Sequence, residues 1–84
     1  MDVLRLRVYT PERQLVDQDV REVTAPGAYG QIGVLPDHAA LVTTLEAGTL
    51  SYRDTAGVVA NVEVTGGFAE VRDNVMTVLA DAAG

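Results

Sequence analysis

Apolar residues recur at every second position in short runs along this chain, and no window sustains the three-to-four spacing of an amphipathic helix. A period of two marks a strand with one buried face, because successive side chains leave the backbone on opposite sides. Val3 to Tyr9 shows it cleanly: Leu4, Leu6 and Val8 point one way, while Val3, Arg5, Arg7 and Tyr9 point the other. Val58 to Thr65 repeats it, with Val58, Ala60, Val62 and Val64 inward against Val59, Asn61, Glu63 and Thr65. Phe68 to Arg72 and Val75 to Ala80 make a last hairpin across Asp73-Asn74, two residue types that tolerate a left-handed backbone. Fourteen valines against eight leucines favour sheet over helix as well.

The punctuation between these runs belongs to a β fold. Thr10-Pro11-Glu12-Arg13 breaks the first strand, Leu15-Val16 reads as a short strand, and Asp17-Gln18-Asp19 is polar enough to predict another turn. Val20, Val23 and Ala25 are spaced by three where alternation demands two, which predicts a β-bulge near Arg21-Glu22. Ala47-Gly48 is a turn, and Leu50 and Tyr52 share one face of the strand that follows. Asp54-Thr55-Ala56-Gly57 is a hairpin loop, and Gly66-Gly67 lets the backbone turn sharply or pack closely. The expectation is an all-β sandwich or flattened barrel, one domain over residues 1–84, with Leu4, Leu6, Val8, Val23, Val62, Val64 and Val78 buried.

Charge and cysteine content then exclude several functions. Six arginines and no lysine stand against twelve acids, a formal net charge of −6, which argues against non-specific binding to nucleic acid or anionic lipid. There is no cysteine, so neither disulfides nor thiolate metal sites support the fold. No apolar run reaches the roughly 18 residues that span a bilayer as a helix, so a soluble chain is expected, held near any membrane by another protein.

The chemistry concentrates in Gly27 to Leu45. This stretch overlaps the longest charge-free run, Val23 to Pro36, and holds the only His and the only Ile. Gly27, Gly30 and Gly33 punctuate it at intervals of three, too often for a helix, and Val34-Leu35-Pro36 ends a short strand before Leu41 to Leu45 begins another. Catalysis has no foothold. His38 and Ser51 lie far apart in sequence without a nucleophile-elbow motif, one His with no Cys makes no metal set, and Gly27-Ala28-Tyr29-Gly30 is followed by no phosphate-binding GK[ST]. Two readings of the charge-free stretch stand. Either it is a pair of core strands whose connection happens to lack charge, or it is a loop meant to be dehydrated against a partner, with Tyr29 as an aromatic anchor.

Ala25-Pro26-Gly27, Gly30-Gln31-Ile32-Gly33-Val34-Leu35-Pro36 and His38-Ala39-Ala40-Leu41 carry a family resemblance. It continues in Leu45-Glu46-Ala47-Gly48-Thr49-Leu50, Gly66-Gly67-Phe68-Ala69-Glu70-Val71 and Asn74 to Asp81. In order and spacing these blocks resemble the N-terminal β domain of the epsilon subunit of F-type ATP synthases, across essentially the whole chain. The resemblance implies a sandwich of about ten short, mainly antiparallel strands. It also implies a non-catalytic rotor subunit on the cytoplasmic side of the inner (plasma) membrane, joining the gamma subunit to the c-ring. The family's c-ring contact falls on Tyr29, Gly30, Gln31, Ile32 and Gly33, and a gamma-facing segment falls on His38, Ala39, Ala40 and Leu41. Gln31 stands where a carboxylate is common, so a neutral amide would meet the c-ring loop arginine in place of a charge-assisted pair. Pro36-Asp37-His38-Ala39-Ala40 departs at two positions from the family's Pro-Gly-His-Ala-Pro. The family usually continues past Ala80-Asp81 into a two-helix domain; without it, neither ATP binding nor an inhibitory arm is expected of these 84 residues, and no cofactor is implied. The competing expectation is a free-standing β-sandwich module for a peptide or glycan.

Overall fold

Eight strands build the computed structural model, which describes residues 3–84. They are β1 (Leu4–Tyr9), β2 (Gln14–Gly27), β3 (Gly30–Val34), β4 (Leu41–Leu45), β5 (Gly48–Asp54), β6 (Val59–Val64), β7 (Gly67–Arg72) and β8 (Val75–Ala80). There is no helix among the described residues, and so none long and apolar enough to cross a membrane. The all-β expectation holds, but with eight strands instead of about ten.

The pairing path runs β1-β8-β7-β4-β2-β5-β6, and an additional β1–β2 pairing closes the first five strands into a ring. All pairings are antiparallel except β1–β8, which is parallel. Strand β2 makes this possible. Its first half pairs β1 from Gln14 to Val20, and its second half pairs β5 along one edge and β3 along the other. The register shift between Val20 and Glu22 against β5 is the bulge that the spacing of Val20, Val23 and Ala25 predicts.

The expected turn at Asp17-Gln18-Asp19 does not form; β2 runs straight through it. Asp17 lies directly opposite Arg7, and Asp19 opposite Arg5, on the outer face of the β1–β2 ladder. Arg5 Nε sits 2.8 Å from Asp17 Oδ1, Arg5 Nη1 3.3 Å from Asp19 Oδ1, and Arg7 Nε 3.4 Å from Asp17 Oδ1. Opposite charges across a strand pair favour the ladder, and that outweighs the local turn preference of aspartate.

The core gathers Leu4, Leu6 and Val8 of β1, Val16, Val20, Val23 and Ala25 of β2, and Met76, Val78 and Ala80 of β8, with Leu50, Val64 and Val71 among the rest. Each fully buried Leu or Val side chain contributes about 1.5–3 kcal/mol. Among the described residues no polar side chain is buried. Two expectations need correcting. Val62 faces the core but is only half-buried, and Val58, expected inward, is exposed and precedes β6. The cause is that, among the described residues, β6 is an edge strand paired along its length with β5 alone. Cover arrives at its far end, where Ala83 bridges Val64 and the Glu63 and Gly84 backbones exchange two hydrogen bonds.

Close approach explains two glycines. A Cβ on Gly67, at φ +124°, would sit inside van der Waals contact with the Leu79 carbonyl oxygen and 2.9 Å from Ala80 Cα. A Cβ on Gly27 would lie 2.5 Å from the Gly30 carbonyl oxygen. Gly27 stands where the ring closes: it pairs Leu45, flanked by bonds from Ala28 N–H to Thr44 C=O and from Glu46 N–H to Pro26 C=O.

Candidate docking surface

The β2–β3 hairpin presents the charge-free stretch. Ala28-Tyr29 forms its turn, closed by Gly30 at φ 127°, and the ladder pairs Gly27 with Gly30, Pro26 with Gln31 and Ala25 with Ile32. Tyr29 is 98% exposed, and Gly30, Gln31 and Gly33 are exposed as well. Ile32 is half-buried and packs on the core. Hairpin and core strand are thus one object: alternate residues anchor it, and the others are offered to solvent.

The connection from β3 to β4 turns at Asp37, which adopts a left-handed backbone at φ 67°. His38 N–H donates to Leu35 C=O at 3.2 Å, and its half-buried ring donates from Nδ1 to Ala39 C=O at 2.7 Å, since a carbonyl can only accept. Ala39 and Ala40 are exposed, and Leu41 packs against the core.

Strand register assembles a surface that residue-by-residue reading misses. On the outer face of β4, β7, β8 and β1, Thr44 opposes Phe68, Phe68 opposes Leu79, and Leu79 opposes Tyr9, a lateral row without charge. The next row is Val42, Glu70, Thr77 and Arg7. Val42 is 69% exposed, Phe68 49% and Leu79 43%. An open groove of about 560 Å³ lies between Tyr29, Leu41 to Thr44 and Phe68, and Phe68 also borders a second hollow with Tyr9, Pro11 and Leu79. Tyr29, from the hairpin, and Leu41, from the following strand, therefore line one groove, whereas Gln31 and Gly33, paired with Pro26 and Thr24, lie outside it.

A signal for Phe68 and Leu79 was present in the sequence. Phe68-Ala69 and Leu79-Ala80 each put a large apolar residue outward beside a small one inward, the reverse of what filling a core requires. The outer face of β2, β5 and β6 is built the other way. Ser51 Oγ donates to Asn61 Oδ1 at 2.7 Å, Thr49 donates to Glu63, and Arg53 Nη2 lies 3.2 Å from Glu22 Oε1. That face pairs these polar groups with one another, and carries one exposed valine, Val59, across from Arg53. Among the described residues no three His, Cys, Asp or Glu are grouped to hold a metal.

The β-sandwich domain model of the ATP synthase delta/epsilon chain matches residues 3–84. This chain belongs to that family. The ATP synthase epsilon chain of Pelotomaculum thermopropionicum is 49% identical over 79 residues, 94% of this chain and 58% of the relative. A chain in the Euglena gracilis mitochondrial ATP synthase structure, described as OSCP/F1/c-ring, superposes with a TM-score of 0.94 at 26% identity, over 100% of this chain and 54% of that one. A chain of the Tetrahymena thermophila mitochondrial ATP synthase central stalk and c-ring gives 0.83 at 21% identity, over 95% and 64%, a likeness of fold alone. The delta/epsilon family member described here thus spans a little over half the length of such relatives. The family's β-sandwich description agrees with a structure that is all strand and turn.

Proposed function

We propose that this domain is a non-catalytic rotor adapter of a proton-translocating ATP synthase, peripheral to the membrane on its cytoplasmic side. The outer face of β4, β7 and β8 docks on the gamma subunit, with His38 to Leu41 at its margin. The tip of the β2–β3 hairpin, from Tyr29 to Gly33, rests on the polar loops of the c-ring. Joining the two keeps proton-driven rotation coupled to ATP synthesis in the catalytic head.

The observation that carries this reading is the asymmetry of the two outer faces. One face pairs its own polar groups around an isolated exposed Val59; the other leaves Val42, Phe68, Leu79 and Tyr29 exposed and contiguous around two grooves. A contiguous exposed apolar patch marks an interaction site, and an aromatic-rich, charge-poor centre is the composition of an interface core. Gln31 at the hairpin edge offers a neutral amide able to hydrogen-bond a cationic or polar loop.

Phe68→Lys tests the gamma half and Gln31→Lys the c-ring half. An ammonium at either position is cheap in water and costly once desolvated. Phe68→Lys is expected to weaken binding to the isolated gamma subunit by roughly a hundredfold, the order of about 2–3 kcal/mol. Asn61→Lys on the opposite face should change nothing, and Gln31→Lys should reduce retention of the catalytic head on membranes while gamma binding persists. Equal gamma affinity for Phe68→Lys and Asn61→Lys would refute the assignment of the face.

A further inference from the structure

We infer that Asn74 is a positioning residue for the gamma contact, holding the β3–β4 loop in the place where it can take part in docking; this rests on the gamma-docking reading above. Asp73 and Asn74 form the two-residue turn between β7 and β8, both left-handed, at φ 52° and 63°. A glycine at the second position would serve that backbone equally well. The asparagine side chain does something the turn does not require. Its Oδ1 accepts the Asp37 N–H at 2.9 Å, and its Nδ2 donates to the Val3 carbonyl at 2.7 Å. Its own carbonyl accepts the Arg5 N–H at 3.1 Å.

One part-buried amide therefore ties together three segments distant in sequence: the start of β1, the β7–β8 turn and the β3–β4 loop. The loop, residues 35–40, belongs to no strand ladder. It carries His38, Ala39 and Ala40 and delivers the chain to Leu41, which pairs Val71 next to the outward-facing Val42. Asn74 pins the turn of that loop at Asp37, one residue before His38. Loops are mobile when their backbone groups are free for water, so a side chain that claims a loop amide lowers the cost of ordering it on binding.

The test uses the full 84-residue chain with Asn74→Gly, Asp73→Gly and Phe68→Lys. Asn74→Gly keeps the left-handed turn and the backbone bond to Arg5 but removes both side-chain bonds. Asp73→Gly makes the same backbone change one position earlier, at a side chain that makes none of these bonds. Hydrogen exchange at the Asp37 amide, the thermal midpoint and affinity for the cognate gamma subunit are read together. Asn74→Gly is expected to lose Asp37 protection at least tenfold and gamma affinity about five- to tenfold, with the β7–β8 amides still protected. Asp73→Gly is expected to match the native chain in all three. Native-like gamma affinity for Asn74→Gly overturns the inference, as does an equal loss in Asp73→Gly, which would trace the effect to the turn. If Phe68→Lys loses binding and Asn74→Gly does not, only the positioning role falls; if neither loses binding, the docking face itself is refuted and the inference falls with it.

Discussion

Tyr29→Ala separates binding from folding more cleanly than any other change on the proposed docking surface. The side chain is 98% exposed, so the folded domain gains almost nothing from it. Stability should stay within about 0.5 kcal/mol, a shift of roughly 2–4 °C at most for a domain of this size. A tyrosine can bury about 150–250 Å² at an interface. If docking covers half of that, about 75–125 Å² leaves water, worth roughly 2–3 kcal/mol at 25 cal/mol per Å². Fixing the side chain returns about 0.5–1 kcal/mol of this. The net is about 1–2.5 kcal/mol, or roughly 5- to 70-fold in affinity. Calorimetric titration of the variant against gamma alone, and then against gamma with the c-ring, shows which partner takes the ring. A loss already present with gamma alone would mean that the groove shared with Val42, Thr44 and Phe68 closes over Tyr29. A loss seen only with the c-ring would assign the ring to the hairpin tip. Unchanged affinity in both titrations refutes the reasoning, and a large drop in thermal midpoint would show that the side chain has a folding role the exposure denies.

The two adjacent glycines at the β6–β7 connection should differ sharply. Gly67→Ala adds about 1–2 kcal/mol of left-handed strain to about 1–3 kcal/mol of collision with the β8 backbone, a drop of roughly 10–30 °C in thermal midpoint. Gly66→Ala has similar strain at φ +133°, but the nearest atom is a movable Asp81 carboxylate oxygen at 3.1 Å, so its drop should be about half as large; equal drops would count against the close approach of β7 to β8. The hydrogen bond from Arg5 is the main cause holding the Asp17 carboxyl below its ordinary range, aided by the charges of Arg5 and Arg7 against some desolvation. A depressed folded-state value contributes stability that is present above the unfolded value, about pH 4, and lost as pH falls through the folded one. Asp17→Asn should therefore melt lower than the native chain near neutrality, with the gap closing below about pH 4; a gap independent of pH would show that the ion pair is not its source.

Strand periodicity carried most of the fold because it depends on which side of the backbone each residue lies, a property the sequence states directly. Leu4, Leu6, Val8, Val64 and Val78 are buried as their alternation requires, and Asp73-Asn74 adopts the left-handed turn its residue types permit. Failures came where a tertiary partner overrode a local preference. Asp17 and Asp19 look like turn residues until Arg5 and Arg7 lie across from them, and Val62 looks like core until β6 proves to be an edge. The site divided on the same line. Of the proposed site, Tyr29 to Gly33 and His38 to Leu41 are contiguous in sequence and can be nominated from it. The row joining Thr44, Phe68, Leu79 and Tyr9 exists only through register across four strands. The same is true of Asn74, whose turn chemistry is local while its bonds to Val3 and Asp37 are not.

Ring closure through β2 has a mechanical side. Every strand in the circuit β1-β8-β7-β4-β2 has a bonded neighbour on both sides, although β4 meets β2 at one register pair only, so the circuit opens first there and the other strands are held from two sides. Sliding one strand along another must instead strain the whole set of ladder bonds at once, since those bonds run across the strands. The hairpin tip and the apolar face both hang from this circuit, the first through β2 and the second through β4, β7 and β8. A twist applied at one is carried to the other in shear, with its weakest link at the single Gly27–Leu45 clasp.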